Sequence, residues 1–114
     1  VHKRGKKDLN HKEVVKWFES MFCHVIDLSL LGDGKPDILV WCRTRYILVE
    51  IKNPKTGYGR KGLNKNQKSW AEEWMGGPVY VVSNREHVIS LVTGQGEVPH
   101  YGGGTRQLSR RVTK

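Results

Sequence analysis

Asp37, Glu50 and Lys52 are the residues whose types and spacing could do chemistry. They lie in two β-branched and aromatic runs, Asp37 to Cys42 and Tyr46 to Lys52, which are separated by Arg43-Thr44-Arg45 and read as a hairpin. Residues of one parity share a strand face, so Glu50 and Lys52 point one way while Val49 and Ile51 point into the opposite layer. With Arg43-Thr44 as a two-residue turn, Cys42 pairs with Arg45, Trp41 with Tyr46, Leu39 with Leu48, and Asp37 falls opposite Glu50. Directly opposed side chains have Cβ atoms about 4.5 to 5.5 Å apart, close enough for two carboxylates to share one divalent ion. Without an ion the pair repels; a hard cation such as Mg²⁺ seeks one or two carboxylates together with phosphate oxygens of a substrate. An ammonium beside them, Lys52, can position an attacking water or offset charge growing on a phosphate. The bland alternative is an exposed salt-bridged patch on a sheet, worth only ~0 to 1 kcal/mol.

The elements that must position these residues follow from caps and periodicity. Asn10-His11-Lys12-Glu13 has the form of a capping box, and Val14, Phe18, Met21 and Phe22 recur at helical spacing, which predicts a helix over 12–22. His24 to Ser29 predicts a strand, followed by the turn-rich Gly32-Asp33-Gly34-Lys35-Pro36. After the hairpin, 53–62 is a glycine-rich loop. A second helix opens at Asn64, where Gln67 stands three residues on in the capping pattern, and it ends at Gly76-Gly77-Pro78. Gln67, Trp70, Ala71 and Trp74 share a helix face, so Gln67 heads the buried side and can cap and serve a site at once, with the two tryptophans as core. Val79 to Ser83 is a fourth strand, and Ser83-Asn84-Arg85-Glu86 caps a short helix running to about residue 92. Glycine dominates from Thr93 onward, where little fixed structure is expected. The order is α-β-β-β-α-β-α, an α/β (α+β) arrangement with a mixed sheet flanked by helices. A basic arm at 1–9, one domain at 10–93 and a basic glycine-rich tail at 94–114 make up the organisation.

Composition narrows the partners. Twenty Lys and Arg against eleven Asp and Glu give the 114-residue chain a net charge of +9, which points to a polyanion. Lys52, Lys55, Arg60, Lys61, Lys65 and Lys68 fall in a stretch without an acid, and Tyr58 sits in its glycine-rich part, where it could stack on an unpaired base. The longest apolar run, Ile38 to Cys42, is far below the ~18 residues of a membrane span. No apolar stretch follows the basic start, so no secretion signal is expected. Cys23 and Cys42 lack metal-ligand spacing and fit a reduced, intracellular, cytoplasmic setting. The five histidines show no zinc spacing either, and Gly32-Asp33-Gly34-Lys35 fails the phosphate-loop spacing, so neither zinc nor a nucleotide cofactor is expected.

Pro36-Asp37, twelve residues, then Glu50-Ile51-Lys52 resembles the signature of the PD-(D/E)xK nuclease superfamily. With Leu63-Asn64-Lys65-Asn66-Gln67 and Gly77 to Ser83 beside it, the text looks like the virus-type replication-repair nucleases, in the small stand-alone form found in phages. The resemblance spans about residues 13–92 and implies the restriction-endonuclease-like αβββαβ core, the same order reached from the elements. It implies that Asp37 and Glu50 bind Mg²⁺, or Mn²⁺ in its place, helped by the Ile51 carbonyl, that Lys52 assists the nucleophile, and that Gln67 belongs to the site. Glu13 matches an acidic residue on the first helix that can complete the site, and Glu19 on the opposite flank of that helix is the alternative. It further implies hydrolysis of phosphodiesters in branched DNA, as a junction-resolving homodimer. The rival readings are a non-catalytic nucleic-acid-binding module on the same fold, or a flap, RNA-directed or restriction-type nuclease.

Overall fold

β-Branched residues are densest in the middle of the chain, and the sheet forms there. The computed structural model describes residues 10–55 and 63–102. In chain order the elements are α1 (His11–Ser20), β1 (His24–Asp27), β2 (Ile38–Cys42), β3 (Arg45–Ile51), α2 (Lys65–Glu73), β4 (Val79–Val82), α3 (Arg85–Thr93) and β5 (His100–Tyr101). The five strands lie in sequence order in one mixed sheet: β1, β2 and β3 are antiparallel, β3 and β4 parallel, and β4 and β5 antiparallel. The architecture is α+β, as the element pattern predicts.

The β2–β3 register is the one that a two-residue turn dictates. Cys42 pairs with Arg45, Trp41 with Tyr46, Leu39 with Leu48 and Ile38 with Val49. Arg43 takes the left-handed conformation, φ 63°, that such a turn asks of its first residue. One face of the sheet carries Ile38, Val40, Ile47, Val49 and Ile51 into a core closed by Val14 and Phe18 of α1 and by Val88 and Leu91 of α3. Each fully buried side chain of this kind stabilises the fold by roughly 1.5 to 3 kcal/mol. The alternate positions of β3 therefore face the other way, toward α2. Gly34 brings the β1–β2 loop against α2: its φ is +79°, and a Cβ there would stand 2.2 Å from the Asn66 carbonyl oxygen.

Several local expectations are corrected. Asn10 does not cap α1: its backbone (φ −96°, ψ 8°) is not the extended one from which a side chain reaches the helix amides, and its Nδ2 donates to the Lys52 carbonyl at 3.2 Å instead. The helix stops at Ser20, because Phe22 turns to φ 68° and exposes its ring. β1 stops at Asp27, whose carboxylate accepts from the Ser29 N–H at 2.8 Å and starts a turn. α3 is capped by Asn84 rather than Ser83: Asn84 accepts from the His87 N–H at 2.9 Å, and the His87 Nδ1 accepts from the Ser83 N–H at 3.1 Å. Trp70 and Trp74 are half-buried outside the core and stack on each other at 5.0 Å.

The largest difference lies beyond residue 93. Gly94, at φ 79°, ends α3, Val98 is buried, the Val81 N–H donates to the Pro99 carbonyl at 2.8 Å, and Tyr101 pairs with Val79. The chain through Gly102 thus belongs to the domain. The basic arm at 1–9 and residues 103–114 of the tail lie outside the described residues. Among the described residues, no helix is long and apolar enough to cross a membrane.

Candidate active site

β3 and α2 bring the site together. The β2–β3 ladder ends at Ile38–Val49; Asp37 is the next residue, and its charge acts on the Glu50 carboxyl. Asp37 sits just outside β2: its N–H donates to the Val49 carbonyl at 3.0 Å, and its carboxylate Oδ2 accepts from the Ile51 N–H at 2.7 Å. That bond fixes the carboxylate at the mouth of the hairpin beside Glu50. The anchor is local and charge-assisted, the kind of hydrogen bond that holds a carboxylate in one orientation.

Glu50, Lys52 and Gln67 are 4%, 5% and 6% exposed, unusually deep for such groups. Gln67 connects the three. Its Nε2 donates to Glu50 Oε2 at 2.5 Å, while its Oε1 accepts from Lys52 Nζ at 3.3 Å and from the Asn64 N–H at 3.0 Å. Asn64 Oδ1 in turn accepts from the Gln67 N–H at 2.9 Å, so the reciprocal capping box is present and the same amide reaches the site. One amide thus makes the cap and the contacts with Glu50 and Lys52, and Gln67 is the buried residue of α2. Lys52 Nζ also lies 3.6 Å from Glu50 Oε2.

This arrangement uses up one oxygen of Glu50 and leaves the other. Glu50 Oε1 is buried without a hydrogen-bond partner. Burial, and then the Asp37 charge, push the Glu50 carboxyl from 4.5 up to about 8, against the attraction of Lys52 and the Gln67 hydrogen bond. A carboxylate oxygen that is buried, unpartnered and beside a second carboxylate is the donor set that suits a divalent cation. The residues present therefore fit Mg²⁺ or Mn²⁺, with the Ile51 carbonyl in the residue whose N–H already binds Asp37.

Glu13 is exposed on α1. It lines an adjoining cleft with Asn53, Lys55 and Arg85, and among the described residues no three His, Cys, Asp or Glu side chains gather into a metal-binding group. Lys55 borders the same cleft, and Lys65 and Lys68 are exposed on the first turns of α2. Tyr58, Arg60 and Lys61 lie outside the described residues. Cys23 and Cys42 are free and buried with sulfurs 3.8 Å apart, and burial together with Cys23 pushes the Cys42 thiol up to about 12.

Tyr101 is a site neighbour that sequence reasoning misses. Its hydroxyl is buried without a partner, and burial, then Glu50 and Asp37, raise its pKa. Through Val79 and Leu48 the strand pairing sets it on the Glu50 side of the sheet. The only signal in the sequence is the short run Val98 to Tyr101, which the following glycines mask. In comparisons with family models, curated proteins and solved structures, nothing matches this chain.

Proposed function

We propose that this chain is a metal-dependent endodeoxyribonuclease, which hydrolyses phosphodiester bonds in branched DNA in the manner of the PD-(D/E)xK enzymes that its motifs resemble. The observation that carries the reading is Glu50, with one oxygen tied to Gln67 and Lys52 and the other buried, unpartnered and beside Asp37. Asp37 and Glu50 would hold Mg²⁺ or Mn²⁺, which when bound supplies Lewis acidity toward a phosphoryl oxygen and acidifies a water. Gln67 holds the Glu50 carboxylate in one rotamer and keeps the Lys52 ammonium on the same side of the sheet. From there Lys52 offsets the negative charge that grows on phosphorus oxygens as water attacks in line, leaving 5′-phosphate and 3′-hydroxyl ends. The buried surroundings of all three strengthen these interactions relative to water.

The net charge of +9 supports a polyanionic substrate. Acting on junctions calls for paired cuts, so the reading includes a symmetric homodimer in the cytoplasm of a bacterial or phage-infected cell. The exposed Ile26, Trp41 and Tyr46 on the Glu50 side of the sheet are the surface that such a dimer would bury. Incubating the protein and Mg²⁺ with labelled linear, flap, fork and four-way DNA tests the proposal. Cleavage concentrated on branched substrates is expected. DNA binding without cleavage of any substrate would make the chain a binding module, and nicking of flaps by a sedimenting monomer would replace resolution by a one-sided reaction.

A further inference from the structure

β3 and β4 run parallel and end side by side, with the Lys52 N–H donating to the Val82 carbonyl at 3.0 Å. The carboxyl ends of parallel strands open a crevice in which ligands of α/β sheets commonly sit. Here that crevice is a cleft of about 430 Å³, within the ~300 to 1,000 Å³ of small-ligand pockets. It is walled by Asn10, Glu13 and Trp17 of the first helix and its entry, by Lys55, and by Asn84 and Arg85 at the start of α3. The catalytic reading uses none of it, yet it adjoins the site through Asn53, the residue after Lys52.

Asn10 is held firmly at the edge of the cleft. It is 9% exposed, its Nδ2 is spent on the Lys52 carbonyl, and its Oδ1 is buried without a partner. A buried acceptor left unmade is costly, and this side chain could have capped α1 instead. The lining also has a mixed chemistry. Lys55 and Arg85 bring positive charge to the cleft, and among the described residues neither is ion-paired, while the N-terminus of α3 opens there too. Glu13 offers an acceptor, and the half-buried Trp17 adds an apolar ring. A phosphate, a sugar and a base with N–H donors match that set of cations, aromatic ring and acceptor.

We infer that this cleft is a nucleotide subsite, holding the nucleotide that neighbours the cut phosphodiester, with Lys55 and Arg85 on its phosphate, Trp17 against its ring and Glu13 on its base N–H groups. The inference rests on the nuclease reading for the identity of the strand, and it adds a strand path: past Lys52 and over the ends of β3 and β4. Arg85 then contributes to binding through a phosphate contact, as a residue of ground-state affinity rather than of the chemical step.

Binding of a fluorescein-labelled 12-nucleotide single strand, measured in EDTA so that nothing is cut, tests it. Arg85→Ala is expected to weaken binding ~10-fold and to lower the slope of log affinity against log salt by ~0.7, the value of one lost phosphate contact on a single strand. Arg85→Lys should regain part of the loss. Arg43→Ala, which removes the same charge from the exposed β2–β3 turn, is expected to change affinity less than twofold. In Mg²⁺, Arg85→Ala should raise KM with kcat little changed. Equal losses in Arg85→Ala and Arg43→Ala, or an unchanged salt slope, would overturn the subsite while leaving cleavage by the wild type intact. Selective loss of binding in Arg85→Ala, in a protein that never cleaves DNA, would keep the subsite and remove the nuclease reading.

Discussion

Replacing Glu50 by Gln should make the metal-free protein more stable at pH 8, although the residue is buried and doubly bonded. The carboxyl is held near 8 in the fold and near 4.5 in the unfolded chain, chiefly because burial and the Asp37 charge oppose ionisation. Over that window the native state binds more protons than the unfolded one, so stability falls as pH rises from about 4.5 to about 8 and levels off above. A tenfold difference in proton affinity between the folded and unfolded states corresponds to ~1.4 kcal/mol, which sets an upper bound of about 4 to 5 kcal/mol by pH 8. Two changes act against each other in Glu50→Gln. The amide keeps an acceptor for Gln67 Nε2 and turns an N–H donor toward Asp37 in place of the unpartnered Oε1, but it loses the attraction of Lys52 Nζ 3.6 Å away. A net gain of ~1 to 3 kcal/mol at pH 8 results, seen as a rise in Tm of roughly 5 to 15 °C for a domain of this size. At pH 4.5 the two proteins should unfold within ~0.5 kcal/mol of each other. Urea unfolding in EDTA at both pH values measures the difference. A variant less stable than wild type at pH 8, or a gain that does not change with pH, would refute the reasoning that a frustrated carboxylate pair sits here.

Gln67→Ala removes both the capping box and the link between Glu50 and Lys52. It should cost ~1 kcal/mol of stability in urea unfolding and lower Mn²⁺ affinity by ~10- to 100-fold in a calorimetric titration. Lys52→Ala should reduce kcat for DNA cleavage by ~10²-fold or more with little change in strand affinity, read from single-turnover kinetics beside binding in EDTA. His87, whose Nδ1 accepts from the Ser83 N–H, has its pKa lowered by burial, so the unfolded chain takes up its proton first. Stability tied to it is present above pH 6.5 and is lost as pH falls below it; His87→Gln should flatten that acid limb in thermal unfolding.

The hairpin and its carboxylates are legible in the sequence because they follow from local rules. Arg43-Thr44 is too short to allow another register, and period-two alternation then sets Glu50 and Lys52 on one face and Ile51 in the core. Gln67 is legible as well, since capping position and helix face coincide there. Asn10 is not, because the competitor of its local cap is a carbonyl 42 residues away in sequence, and no pattern along the chain encodes that contact. The cap of α3 falls one residue later than its pattern suggests because Ser83 and Asn84 are both good caps; which one serves is decided by the His87 ring taking the Ser83 N–H. β5 is hidden for a related reason. Two residues carry no periodicity, and His100 and Tyr101 become a strand only because the open edge of β4 pairs with them. Tyr101 therefore reads as linker, and with it goes a hydroxyl near the carboxylates. The tryptophans of α2 have helical spacing without being core, since the face they occupy stacks ring on ring.

The central claim, that Asp37 and Glu50 form one divalent-cation site, is tested most directly by Mn²⁺ binding followed by electron paramagnetic resonance at pH 8. One bound Mn²⁺ per chain is the predicted result, displaced by Mg²⁺, abolished in Asp37→Asn and in Glu50→Gln, and unchanged in Glu13→Gln. Wild-type protein that binds no Mn²⁺, or binding that survives Asp37→Asn, would contradict the account.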